Sequence, residues 1–153
     1  MPIRYVVAVV LVSAIVGMLF TGIGHVDGKN SRNAMETEVD AIESAAVSLM
    51  EDEELPPPGQ AGPKRVLTIT FPDGSLGYES VEEFTITRID QNQSRVEYQL
   101  ESGVTHQRFV SAPIVDKDGD VQFELEGTGD GTEVMLTLEP DSNGDPVVYI
   151  QIA

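Results

Sequence analysis

AIESAAVSLMEDEELPPPGQAGPKRVLTITF, Ala41 to Phe71, is where the chain changes its period. Before Pro56 the apolar residues recur at helical spacing. Met35, Val39, Ile42, Ala46 and Leu49 follow at steps of four, three, four and three, one narrow seam on a helix predicted over 31–54. After Pro63 apolar residues recur at every second position, as in a half-buried strand. Between the two, Pro56, Pro57 and Pro58 remove consecutive backbone donors and impose an extended, polyproline-like path. The fold class is therefore α+β, with a Pro/Gly linker at 55–63.

Ser31 is placed to cap the helix, and Glu36, Glu38, Asp40 and Glu43 occupy its other faces. A seam this slim cannot bury itself. It either lies on the β region C-terminal to it or packs against another chain. It is too narrow to need a whole sheet face and too regular for a solvated tether, and the prolines decouple it from the β region. Met35, Val39, Ile42, Ala46 and Leu49 are accordingly read as a partner-packing seam.

From Lys64 to Ala153 seven short strands are predicted: RVLTITF, VEEFTITRI, RVEYQLES, THQRFVS, VQFELEG, TEVMLTLE and VVYIQI. Val96/Tyr98/Leu100, Val121/Phe123/Leu125 and Val148/Ile150/Ile152 carry the clearest inward sets. PDGS, DKDGD, GTGDGT and DSNGDP supply turn chemistry between strands, and Asn143-Gly144 is a hairpin signal. No helical period returns, so a parallel βαβ layout is excluded in favour of a small antiparallel sandwich or rolled sheet. A domain of this length, 64–153, is expected to fold alone.

Towards the N terminus, YVVAVVLVSAIVGMLFTGI (Tyr5–Ile23) has no acidic or basic residue. As a helix it would be roughly 28 Å long, close to the hydrocarbon thickness of a bilayer. It exceeds the usual apolar region of a secretory signal, and only Gly22-Ile23-Gly24 offers a small-x-small site. An uncleaved single-pass anchor is the reading, with Ser13, Gly17 and Thr21 as a small-residue stripe. GIGHVDGKN is read as a hinge, giving an anchor-and-hinge segment at 1–30.

All 26 Asp and Glu lie at or after Asp27, as do all the Lys and Arg but Arg4, so the segment from Asp27 onward carries a net charge of −18. Such a surface repels nucleic acid and anionic lipid headgroups, because binding either demands cationic contacts. Concentrated salt relieves the self-repulsion, and the pattern is that of a halophile's surface. There is no Cys, which excludes disulfides, thiolate metal sites and cysteine nucleophiles. A Cys-free, acidic, strand-rich head behind an N-terminal anchor is expected on the outer side of the cell membrane.

Candidate sites are few. Asp116, Asp118 and Asp120 of DKDGD occupy positions one, three and five of a calcium-loop pattern, but Gly stands at four and no Glu at twelve; a turn is the simpler reading. Gly127, Gly129 and Gly131 form no phosphate cradle without a helix after them. Ser75 within GSLG lacks the G-x-S-x-G of a nucleophile elbow. His25 and His106 are far apart in sequence. No enzyme, cofactor or metal is expected.

IRYVVAVVLV, AIESAAVSLMEDEELPPPGQAGPKRVLTITFP, APIVD and GDPVVYI resemble a haloarchaeal family of uncharacterised membrane proteins. Genes of that family accompany the secretion ATPase and membrane platform of type IV pilus-like machines. The layout of apolar helix, amphipathic extension and β head is likewise similar to pilin-like proteins, though no Lys/Arg-Gly precedes the apolar run and no acid sits near its start. The resemblance implies a structural or assembly component of such a surface machine, with membrane lipid around 5–23 and other machine proteins as partners. The competing reading is a membrane-tethered β module that binds a ligand or surface polymer.

Overall fold

The computed structural model describes the backbone of residues 2–127 and 129–153, and side chains from Asp27 onward except Thr128. Among the described residues one helix, α1 (Pro2–Asp52), is followed by eight strands. These are β1 (Lys64–Ile69), β2 (Val81–Arg88), β3 (Ser94–Leu100), β4 (Thr105–Val110), β5 (Ile114–Asp116), β6 (Gln122–Glu126), β7 (Thr132–Pro140) and β8 (Pro146–Ile152). They form two four-stranded sheets, in the orders β1-β7-β8-β5 and β4-β3-β2-β6. The result is a mixed α+β, sandwich-like fold.

The helix differs from expectation in two ways. No hinge interrupts it at 22–30; the backbone is helical from Pro2 to Asp52, so Ser31 is an interior residue and not a cap. The seam also has a different partner. Met35, Val39, Ile42, Ala46 and Leu49 are fully buried in one cluster with Ile69, Phe84, Val96, Leu136 and Ile150 of both sheets. Helix α1 packs on β1, β7 and β8. The physical reason is geometric. The linker reverses the chain so that β1 returns beside the helix, with Arg65 Nη2 2.7 Å from Glu53 Oε1. The prolines redirect the chain without decoupling it. The seam is core, not a surface for another chain.

The apolar run Tyr5–Ile23, with Ser13, Gly17 and Thr21, and His25 have side chains outside the described residues. Among the described residues no helix is long and apolar enough to cross a membrane.

Of the expected strands all seven form, with shifted ends, and β5 is additional. It pairs with β8 in parallel, Ile114 opposite Val148 and Asp116 opposite Ile150, so the sandwich is not wholly antiparallel. Strand β3 buries Ser94, Val96, Tyr98 and Leu100 in strict alternation. Val121 and Ile152, each 60% exposed, fall outside the inward sets expected for them: Val121 precedes β6, and Ile152 is the last residue of β8.

Three loops share one construction. In Leu100–Val104, Asp116–Asp120 and Asp141–Asp145 the first amide donates to the fifth carbonyl, and the fourth residue's amide donates back to the first carbonyl. The fourth residue is Gly103, Gly119 or Gly144, at φ 82°, 86° and 85°. A type I turn followed by a left-handed residue needs glycine there. Asn143 is an ordinary turn residue, its amide donating to Asp141 Oδ1 at 2.8 Å.

Candidate functional site at the helix and loop junction

Antiparallel return of the chain divides the head into two ends. β1 starts beside Glu53 and runs back along the helix, so the loops after β1, β3 and β6 gather at the helix segment around 28–38. The Asp141–Asp145 hairpin lies at the other end, where Leu138 N–H donates to Pro63 C=O at 3.1 Å.

At the first end a loop, residues 72–80, is strapped to the helix. The fully buried Ser31 hydroxyl accepts from the Glu79 amide at 2.7 Å and donates to the Glu79 carbonyl at 2.8 Å. Asn30 Nδ2 donates to the Gly77 carbonyl at 2.9 Å. A Cβ at Gly28 would stand 3.0 Å from Glu79 Oε1, so the missing side chain lets that carboxylate lie over the helix. Glu79 Oε2 accepts from Ser102 Oγ at 2.6 Å, and Ser80 Oγ donates to Glu101 Oε2 at 2.9 Å. The loop after β3 is thereby joined to the strap. Within the strap, Ser75 N–H donates to Asp73 Oδ1 at 3.0 Å. Hydrogen bonds from the Ser75 hydroxyl and amide hold the Asp73 carboxyl below the ordinary range.

Between α1 and the β3–β4 hairpin lie two adjoining hollows of about 300 Å³ each. Arg32 and His106 line both; Lys29 and Val104 border the first, Tyr98 and Arg108 the second. The Tyr98 and His106 rings lie 5.3 Å apart, tilted by 35°. Burial, and then the charge of Glu36, pushes the Tyr98 hydroxyl above its ordinary value, so it stays a neutral donor. Arg32 Nε is 2.8 Å from Glu36 Oε1. Arg108 bonds Asp40 and stands 3.6 Å from Glu43, whose Oε1 accepts from Ser111 N–H at 3.1 Å. Both guanidinium groups are committed to helix carboxylates. Arg32 pairs within α1, whereas Arg108 ties β4 to it; the first hollow is lined mainly by apolar surface and the second mainly by polar surface.

The sequence-level candidates disperse. Asp116 and Asp120 close a turn, and Asp118 bonds Lys117. Among the described residues no three His, Asp or Glu side chains gather as a metal site requires. Gly127, Gly129 and Gly131 are packing glycines: added Cβ atoms would stand 1.7 Å from Val81 O, 2.5 Å from Asp73 Cβ and 2.7 Å from Thr68 Cγ2. Ser75 shapes the strap, and His106 sits in β4. What sequence reading missed is the docking face of Gly28 and Ser31. Two small residues three apart on a helix mark a place where another backbone comes close; taken with Gly22 and Gly24, Gly28 reads as a hinge, and Ser31 reads as a helix cap.

These residues define a class: a mixed α+β protein whose long helix is built into a two-sheet head and fastened there by a strap loop. The chain belongs to the family described as Domain of unknown function (DUF7311), which it matches over residues 2–153. No curated protein and no solved structure matches it.

Proposed function

We propose that the chain is a pilin-like, membrane-anchored structural or assembly component of a haloarchaeal type IV pilus-like surface machine. Tyr5–Ile23 is its single span, and the acidic head stands on the outer side of the cell membrane. The observation that supports this most is the single helix Pro2–Asp52, whose C-terminal half is part of the head's core. A backbone hydrogen-bonded at every turn transmits orientation, which a hinged tether would not. That suits a subunit whose head must hold a set direction relative to its anchor. With the seam buried, assembly contacts fall to the apolar run and the exposed strand edges.

The test is recovery of the tagged full chain from native membranes in molar salt. Co-purification of a secretion ATPase and its platform protein supports the structural role. Their absence, with a surface polymer or small ligand retained instead, turns the reading towards a tethered binding module. The recesses beside Tyr98 and His106 are the feature that favours that second reading.

A further inference from the structure

The strap loop ends in an apolar tip with no cover among the described residues. Leu76 is fully exposed, Tyr78 is 43% exposed, and Val104, on the adjoining hairpin, is 49% exposed. Isolated exposed apolar residues are ordinary on a protein surface. These three are not scattered. Gly77, between Leu76 and Tyr78, is hydrogen-bonded to Asn30, and Val104 borders the same hollow as Gly28 and Lys29. All three therefore stand at one level of α1, that of residues 28–30.

That level is informative because the helix is continuous. From Ile23, the last residue of the apolar run, to Asn30 is about 10 Å at 1.5 Å per residue. The polar layer on each side of a bilayer is about 5–7 Å deep. If Tyr5–Ile23 spans the hydrocarbon, the level of Gly28 to Asn30 stands about 7–10 Å beyond it, which puts the loop tip at the outer edge of the headgroup layer, within a side chain's reach of it. We infer that the collar formed by the 72–80 strap and the 101–104 hairpin rests on the lipid surface, with Leu76 and Val104 dipping into it. Tyr78 is of the residue type enriched at that boundary, and Lys29, exposed at the same level, can reach lipid phosphate. The nearby acids Asp73, Glu79 and Glu101 disfavour anionic headgroups, so the contact is with zwitterionic lipid. A second copy of the chain is a poorer occupant, since the remaining surface is strongly acidic and self-repelling. The collar would fix how close the head sits to the membrane and about which axis it can tilt.

This rests on the membrane-anchor reading, and the experiment separates the two. The chain has no Trp, so Leu76→Trp, Ile15→Trp and Asn143→Trp each give a single reporter. The full-length variants are reconstituted in phosphatidylcholine vesicles with and without lipids brominated along the acyl chain. Ile15 reports the anchor, and Asn143 the far end of the head. Strong bromolipid quenching at Ile15, partial quenching with a blue-shifted emission at Leu76, and none at Asn143 is the expected pattern. A Leu76 reporter as red and unquenched as Asn143, with Ile15 quenched, overturns the collar while leaving the anchor. A blue but unquenched Leu76 reporter means burial in a neighbouring protein and also overturns it. An unquenched Ile15 removes the anchor and the collar together. Leu76 is fully exposed, so its replacement removes no packing, and Val104→Trp repeats the measurement on the second loop.

Discussion

The Ser31 hydroxyl is bonded to both backbone groups of Glu79, accepting from its amide at 2.7 Å and donating to its carbonyl at 2.8 Å. One side chain in the middle of a helix satisfies a loop residue that has no strand partner. This clasp turns the 72–80 segment from a free loop into part of the helix's surroundings. Ser31→Ala leaves the Glu79 amide and carbonyl partly buried and unpaired, at a cost of about 1–3 kcal/mol. The midpoint of urea unfolding should fall accordingly, and hydrogen exchange should rise selectively at residues 77–80. Unchanged exchange there would mean the clasp does not hold the loop.

The full burial of Ile42 in the core cluster makes it a stability residue. Ile42→Ala should destabilise the chain by about 2–5 kcal/mol, through lost transfer energy and the cavity left behind. Its exposed neighbour Ala41 gives the control: Ala41→Asp should stay within about 0.5 kcal/mol. Both are read by denaturant melts of the full chain in molar salt. Equal effects would place the seam outside the core.

Residues 64–153 expressed alone should not melt as a cooperative unit, because the core cluster loses Met35, Val39, Ile42, Ala46 and Leu49. Adding back the segment from Asp27 should restore a cooperative transition whose midpoint rises with salt, as screening relieves repulsion among carboxylates. Circular dichroism melts of the two chains at low and molar salt make the comparison.

Two carboxylates should respond to pH with opposite signs. Asp141 is held below the ordinary aspartate range, first by the Asn143 amide and further by the Asp145 amide and Arg88, 3.6 Å away. A lowered folded value contributes stability above the ordinary value and loses it as pH falls through the folded one. Asp141→Asn should therefore lower the melting temperature at neutral pH, with the gap closing below about pH 4. Glu38 is raised by burial, against the opposing Thr70 amide. A raised acid weakens the fold progressively as pH rises above its ordinary value, and fully so once pH exceeds the folded one. Glu38→Gln should raise the melting temperature at neutral pH, and that gain should fade as pH falls towards the ordinary glutamate range. Melting temperatures of both variants across pH 3–8 test both signs.

Periodicity by itself determined which side of α1 beyond Ser31 and of β3 is covered. The steps of four and three picked out five residues of α1, and all five are fully buried; the alternation of β3 picked out Val96, Tyr98 and Leu100 equally well. Local turn chemistry determined the Asp141–Asp145 hairpin, because its hydrogen bonds join residues only a few positions apart. A period reports that a face is covered and not what covers it. The seam's burial against its own sheets, the parallel pairing of the three-residue β5 with β8, and the Ser31–Glu79 clasp join residues tens of positions apart in the chain. Those partners were decided when the proline segment returned β1 along α1. Only in three dimensions does Gly28, read as a hinge, become the gap into which a carboxylate fits.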